Sequence, residues 1–170
     1  MLAYLFLLIA IAYRILAHPW NFTPVAAALL FFGARMPRRQ MWIPLTLLAM
    51  TDVGLNLFRY HYPVSADLLV TWAWYAAILL AGSLLTARPS LLKAGAFGLG
   101  ASISFFLLSN FVVWAVWNMY PRTLAGLVTC YAAAVPFFRQ PVGDVLFTVV
   151  FFSVPMLLEA RERRAAKNTL

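Results

Sequence analysis

The sequence predicts an all-α polytopic membrane protein, with six transmembrane helices plus a short re-entrant or interfacial helix, forming a single integral membrane domain over residues 1–170. Three observations predict it. Of 170 residues, 64% are hydrophobic and 11% are charged, whereas a soluble domain carries about 25% charged residues. The charges fall in short gaps between long apolar runs. A soluble core of this length has no means of hiding that much apolar surface, so hydrocarbon is the expected solvent.

The elements follow in order. Leu2–Ala17 lacks a basic flank, contains Arg14 and has a weak cleavage signature, so it reads as a retained helix rather than a signal peptide. Pro24–Ala34 is short, but Asn21-Phe22-Thr23-Pro24 looks like a capped helix start with proline in its first turn. It counts as a span because Arg35, Arg38 and Arg39 follow it. Met41–Phe58, Asp67–Thr86 and Ala94–Trp117 are long enough to cross. Leu124–Phe137 is short, holds Gly126 and Pro136, and is flanked by Arg122 and Arg139, which suits a helix that stays on the outer side. Val145–Leu158 is the last apolar run, and residues 158–170 read as a cytoplasmic helical tail with alternating Glu and Arg. Turn signals such as Pro37-Arg38-Arg39-Gln40, Arg88-Pro89-Ser90, Tyr120-Pro121 and Gln140-Pro141 separate the runs.

Charge sets the direction. Six spans leave nine basic residues inside (35, 38, 39, 88, 93, 161, 163, 164 and 167), three outside (59, 122 and 139) and Arg14 in a span. Seven spans would place the basic tail outside, against the positive-inside rule. Both termini are therefore expected in the cytoplasm of a bacterial inner membrane. The +8 net charge belongs to this bias; no basic stripe with exposed aromatics points to nucleic acid. The single Cys130 excludes an internal disulfide.

Ionisable groups inside spans are costly and face a partner or a cavity. Arg14 and Asp52 stand out. With a rise of about 1.5 Å per residue, Arg14 lies ~5 Å, Asp52 ~9 Å and Asn110 ~10 Å below the outer ends of their helices. Asn56 is one turn above Asp52. The plain structural reading is an Arg14–Asp52 pair that ties two helices together, and such a pair is not itself a sign of function. The outer gaps, however, concentrate aromatic and hydrogen-bonding residues: His18, Trp20 and Asn21; Arg59, Tyr60, His61 and Tyr62; Asn118, Tyr120 and Arg122. An interfacial aromatic belt accounts for many of these, yet a small-molecule pocket has the same composition. His18 and His61 have no second ligand at helical spacing, so no metal and no cofactor is expected. No catalytic fingerprint is present, and neither Asp52 nor His61 has a paired acid or base, so the chain does not read as an enzyme. Ala94, Gly98 and Ser102, with Gly100 and Ser104, form small-residue faces suited to close helix contact.

The run from His18 to Gly33 (HPWNFTPVAAALLFFG), Asp52, Ser109-Asn110-Phe111 with Trp114, and Tyr120-Pro121-Arg122-Thr123 with Cys130-Tyr131 resemble a small family of bacterial membrane proteins. That family is similar to the substrate-binding S components of energy-coupling factor (ECF) transporters. The resemblance implies a six-helix S-component-like fold and a vitamin-sized ligand near the outer face, capped by loops. It also implies a transmembrane coupling protein driven by cytoplasmic ATPases as a partner. S components often dock through an alanine-rich patch; here the candidates are Ala10 with Ala17, or Ala26 to Ala28.

The expected function is capture of a small organic molecule for uptake. Asp52, Asn56 and Asn110 would hydrogen-bond its polar parts, while Trp20, Trp114 and Tyr120 stack on a ring. Arg14 would set the charge of Asp52, Arg122 or Arg59 would meet an anionic group, and movement of the Trp20–Asn21 loop would gate the site. The rival expectation is an assembly protein that docks other membrane proteins through its small-residue faces.

Overall fold

Seven α-helices, with no strand among the described residues, make up the structure, a computed structural model that describes residues 1–16, 23–61, 65–85, 89–138 and 140–168. They are α1 (Leu2–Ile15), α2 (Val25–Arg35), α3 (Trp42–Leu55), α4 (Ala66–Gly82), α5 (Leu91–Val116), α6 (Leu124–Ala134) and α7 (Gln140–Asn168). All seven apolar runs of the sequence are helical. Three helical stretches are long and apolar enough to cross a membrane: Arg38–Tyr60, Leu91–Val116 and Gln140–Ala166.

Surface chemistry runs opposite to that of a soluble bundle. On α5 the buried positions are mostly small (Ala94, Gly98, Ala101 and Ser102, with Val112), while Leu92, Leu99, Ile103, Leu107 and Phe111 are exposed. On α7, Asp144 and Thr148 are buried together with Phe151 and Phe152, while Val142, Leu146, Val150 and Leu157 face outward. Large apolar side chains outside and small or polar ones inside are what lipid selects, because hydrocarbon solvates the former and helix–helix contact satisfies the latter.

At the centre is α2, buried on every side from Val25 to Gly33. Its contact with α4 is close enough to require glycine on both helices. A Cβ on Gly33 would fall 2.1 Å from the Leu79 carbonyl oxygen, and one on Gly82 would fall 2.4 Å from that of Leu30. Around this pair, Phe6 stacks on Phe151 and meets Phe31 edge-on, which joins α1, α2 and α7.

Helices α6 and α7 follow one another along α5. Trp114 Nε1 donates to the Pro121 carbonyl at 2.9 Å. Further down, Cys130 Sγ lies 3.5 Å from Asn110 O, and Tyr131 Oη donates to Leu107 O at 2.6 Å. Phe138 then packs on Phe106, Ser102 Oγ donates to Asp144 at 2.5 Å, and Gly98 faces Thr148. Each later position pairs with an earlier residue of α5, so α6 and α7 run in one direction, antiparallel to α5. A short 3-10 turn, Val135–Phe137, with Pro136 in it, separates them. The start of the last helix also differs from the expected Val145. Pro141 sits in the first turn of α7, where its missing N–H costs nothing, instead of ending a gap. Asp144 is thereby inside a helix.

Candidate functional site

The ends of α1 and α3 and the middle of α4 converge on the expected pair. Arg14, in the last turn of α1, donates from Nη2 to Asp52 Oδ1. Its Nη1 donates to the Tyr75 hydroxyl at 3.1 Å. From α4, Trp72 Nε1 donates to Asp52 Oδ2 at 3.0 Å, and Tyr75 Oη lies 3.5 Å from Oδ1. Asp52 is 5% exposed and Arg14 16%. Both carboxylate oxygens are thus engaged, as a buried charge requires.

A cavity of about 210 Å³ opens beside this network. Arg14 and Tyr75 supply polar groups, Trp74, Phe105 and Tyr60 supply aromatic faces, and Thr23 and Gln140 add hydrogen-bonding side chains. Trp74 is held by a 3.0 Å bond from Nε1 to Ser104 Oγ. Asp52 and Asn56 are not on this wall. Asp52 stands behind Arg14, and Asn56 opens a single π-helical turn, Asn56–Tyr60, that extends α3 and delivers Tyr60. The turn ends at His61, whose φ of 55° is left-handed. The geometry has Asp52 holding Arg14 in place, with the guanidinium facing the cavity.

The other expected residues lie elsewhere. Asn110 donates from Nδ2 to the Phe106 carbonyl of its own helix at 2.8 Å. It lines a neighbouring cavity of about 260 Å³ with Ser109, Phe138 and Gln140. Phe105 and Gln140 line both cavities and form the partition between them. Equal depth therefore does not bring Asn110 to Asp52. Trp114 and Arg122 bind backbone carbonyls at the α5–α6 corner, Pro121 O and Ala115 O respectively, and Arg122 also reaches Asn118 Oδ1 at 3.5 Å. Tyr120 is half-buried in the same corner. Trp20 and Asn21 lie outside the described residues.

Sequence reasoning missed Trp72, Trp74 and Tyr75. Their signal is aromatic side chains with polar tips in mid-span, away from any interfacial belt. It also missed Asp144, which with Ser102 and Thr148 is a buried polar group of the α5–α7 seam.

A family model matches residues 1–167: a family of unknown function (DUF6580). The chain belongs to this family. No curated protein and no solved structure matches it. Among the described residues no cluster of three His, Cys, Asp or Glu side chains is placed to hold a metal.

Of the small-residue faces, the one with Gly98 and Ser102 is occupied internally, whereas Gly100 is exposed, with nothing within 4 Å of its Cβ position. Gly98 and Ser102 abut α7, and Ala10 and Ala26 to Ala28 are buried in the core. Ala17 lies outside the described residues.

Proposed function

We propose that this protein is a six-span transporter component of a bacterial cytoplasmic membrane that captures a small organic molecule from outside. The observation that carries the proposal is the cavity beside Arg14. It combines a fixed cation and a phenol with three aromatic walls, the mixture of apolar lining and a few placed polar groups typical of ligand sites. Its helix ends are those opposite Arg35, Arg38, Arg39 and Lys93, so the positive-inside rule orients it outward. At about 210 Å³ it lies below the ~300–1,000 Å³ of drug-sized pockets, so it favours a compact ligand at the small end of the vitamin range.

In this reading α6 and α7 together make the sixth span, broken at Pro136, which accounts for a short outer helix without an additional crossing and leaves both termini in the cytoplasm. Arg14 and Tyr75 hold an acceptor group of the ligand, while Trp74 and Phe105 receive its ring. Asp52 neutralises Arg14, so the ligand need not be an anion. The resemblance to S components, which rests on the sequence motifs, makes a coupling protein the expected driver of uptake. The alanine patches expected to dock that protein are buried at Ala10 and Ala26 to Ala28, so docking uses another surface.

The test is untargeted mass spectrometry of small molecules released from the gently extracted protein, compared between wild type and Trp74→Ala with Tyr75→Phe. A compound enriched in the wild type and lost from the folded double variant supports the reading. A cavity that carries nothing under conditions that preserve the fold, with a stoichiometric protein partner in the native mass spectrum, supports the assembly role instead.

A further inference from the structure

The seam between α5 and α7 holds a carboxyl group that, among the described residues, has no counter-charge. Asp144 is 1% exposed, and Ser102 and Thr148 beside it are fully buried. Ser102 Oγ donates to Oδ2 at 2.5 Å, and Gln140 stands one turn earlier on α7. Oδ1 has no hydrogen-bond partner, and neither does Thr148 Oγ1, one turn later on the same face.

The charged and titratable groups on the surrounding elements are committed elsewhere or distant along the helices. On α1, Arg14 binds Asp52 and Tyr75, and Tyr13 meets the Phe147 ring. On α2, Arg35 sits at the opposite helix end, over Phe31. On α5, Lys93 is exposed at the first turn. On α6, Cys130 and Tyr131 face carbonyls of residues 110 and 107. On α7 itself, Glu159 and the arginines after it lie in the tail. The ion pair of Arg14 is with Asp52, away from this seam.

An ionised carboxylate with a bare oxygen in an apolar seam is the costly state, and taking up a proton removes the charge. A metal ion would relieve it too, but hard cations take about six or more oxygen ligands, and the seam is closed. Even a Cβ on Gly98 would stand 2.8 Å from Thr148 Oγ1 and 2.9 Å from the Asp144 carbonyl oxygen. We propose that Asp144, framed by Ser102 and Thr148, is a proton-binding site inside the membrane, and that it exchanges its proton with water entering from the cavity beside Arg14, past the Gln140 side chain. Gln140 lines that cavity and stands one turn before Asp144 on α7. The inference needs a membrane-embedded seam and not a ligand in the cavity, so it stands or falls separately from the transport reading.

The experiment is infrared spectroscopy of the full chain in lipid nanodiscs, following the carbonyl stretch of protonated carboxylic acids at neutral pH. The expected result is a band present in wild type and in Asp52→Asn but missing from Asp144→Asn. Ser102→Ala, which keeps the carboxyl and removes its donor, shifts the band, and this arm stands if Asp144→Asn does not fold. Gln140→Leu slows the band's response to D2O. The proton site is overturned if no band depends on Asp144 or Ser102, or if sodium ions raise the unfolding temperature of wild type but not of Asp144→Asn. An exchange rate unchanged by Gln140→Leu overturns the route.

Discussion

Two buried aspartates meet opposite treatment in this molecule. Asp52, where α1, α3 and α4 converge, has an arginine, an indole and a phenol around it, with both oxygens satisfied. Asp144, between α5 and α7, has the Ser102 hydroxyl, one bare oxygen and, among the described residues, no cation. The first can carry its charge because the charge is matched on the spot. The second is cheapest without one. Burial alone therefore does not say what a carboxyl does in a membrane; its neighbours do.

The contrast is open to attack by substitution, and the largest effect belongs to the matched pair. Arg14→Leu leaves Asp52 buried and uncompensated, and is expected to cost about 3–5 kcal/mol. Equilibrium unfolding in mixed micelles measures this, and a loss below ~1 kcal/mol would make the two aspartates alike. Replacing both members, Arg14→Met with Asp52→Leu, recovers most of the loss, because no lone charge remains.

The isosteric change to Asn sharpens the comparison. Asp52→Asn removes a charge that accepts three hydrogen bonds and is expected to cost about 2–3 kcal/mol. Asp144→Asn exchanges one neutral group for another of the same shape and stays within ~1 kcal/mol of wild type. Equal losses in the same unfolding assay would show that both carboxyls are ionised.

The smallest effects test whether the α5–α7 seam is as closed as the proton site requires. Gly98→Ala overpacks against Thr148 and is expected to cost about 1–3 kcal/mol. Gly100, two residues on, has nothing within 4 Å of its Cβ position. Gly100→Ala is expected to be neutral or to stabilise by up to ~1 kcal/mol. Thermal unfolding of the two variants side by side separates them, and a harmless Gly98→Ala would mean room for an ion.

Much of the architecture was legible in the residue pattern. All seven apolar runs are helical, because a run of that length in lipid has few other ways to satisfy its backbone. The Arg14–Asp52 pair was legible too, as two ionisable groups at similar depth. The misplacement of Asp144 has a simple origin. Gln140-Pro141 looks like a break, so the helix was expected to begin at Val145, whereas proline in a first turn continues into the helix. Asn110 fails for another reason: depth matching placed it correctly along α5, but it faces a chamber beyond Phe105 and Gln140.

By itself, then, the amino-acid order determined the helices and how far along its helix each polar group lies, since that is only the rise of about 1.5 Å per residue counted from a helix end. Which neighbour a side chain faces was decided by tertiary structure alone. That depends on how each helix is rotated about its axis, and rotation is set by contacts between distant segments. Gly33 on α2 and Gly82 on α4 let two backbones touch, and Gly98 draws α5 against α7. Those contacts aim Tyr75 and Trp72 at Asp52, and leave Asp144 without a charge to meet.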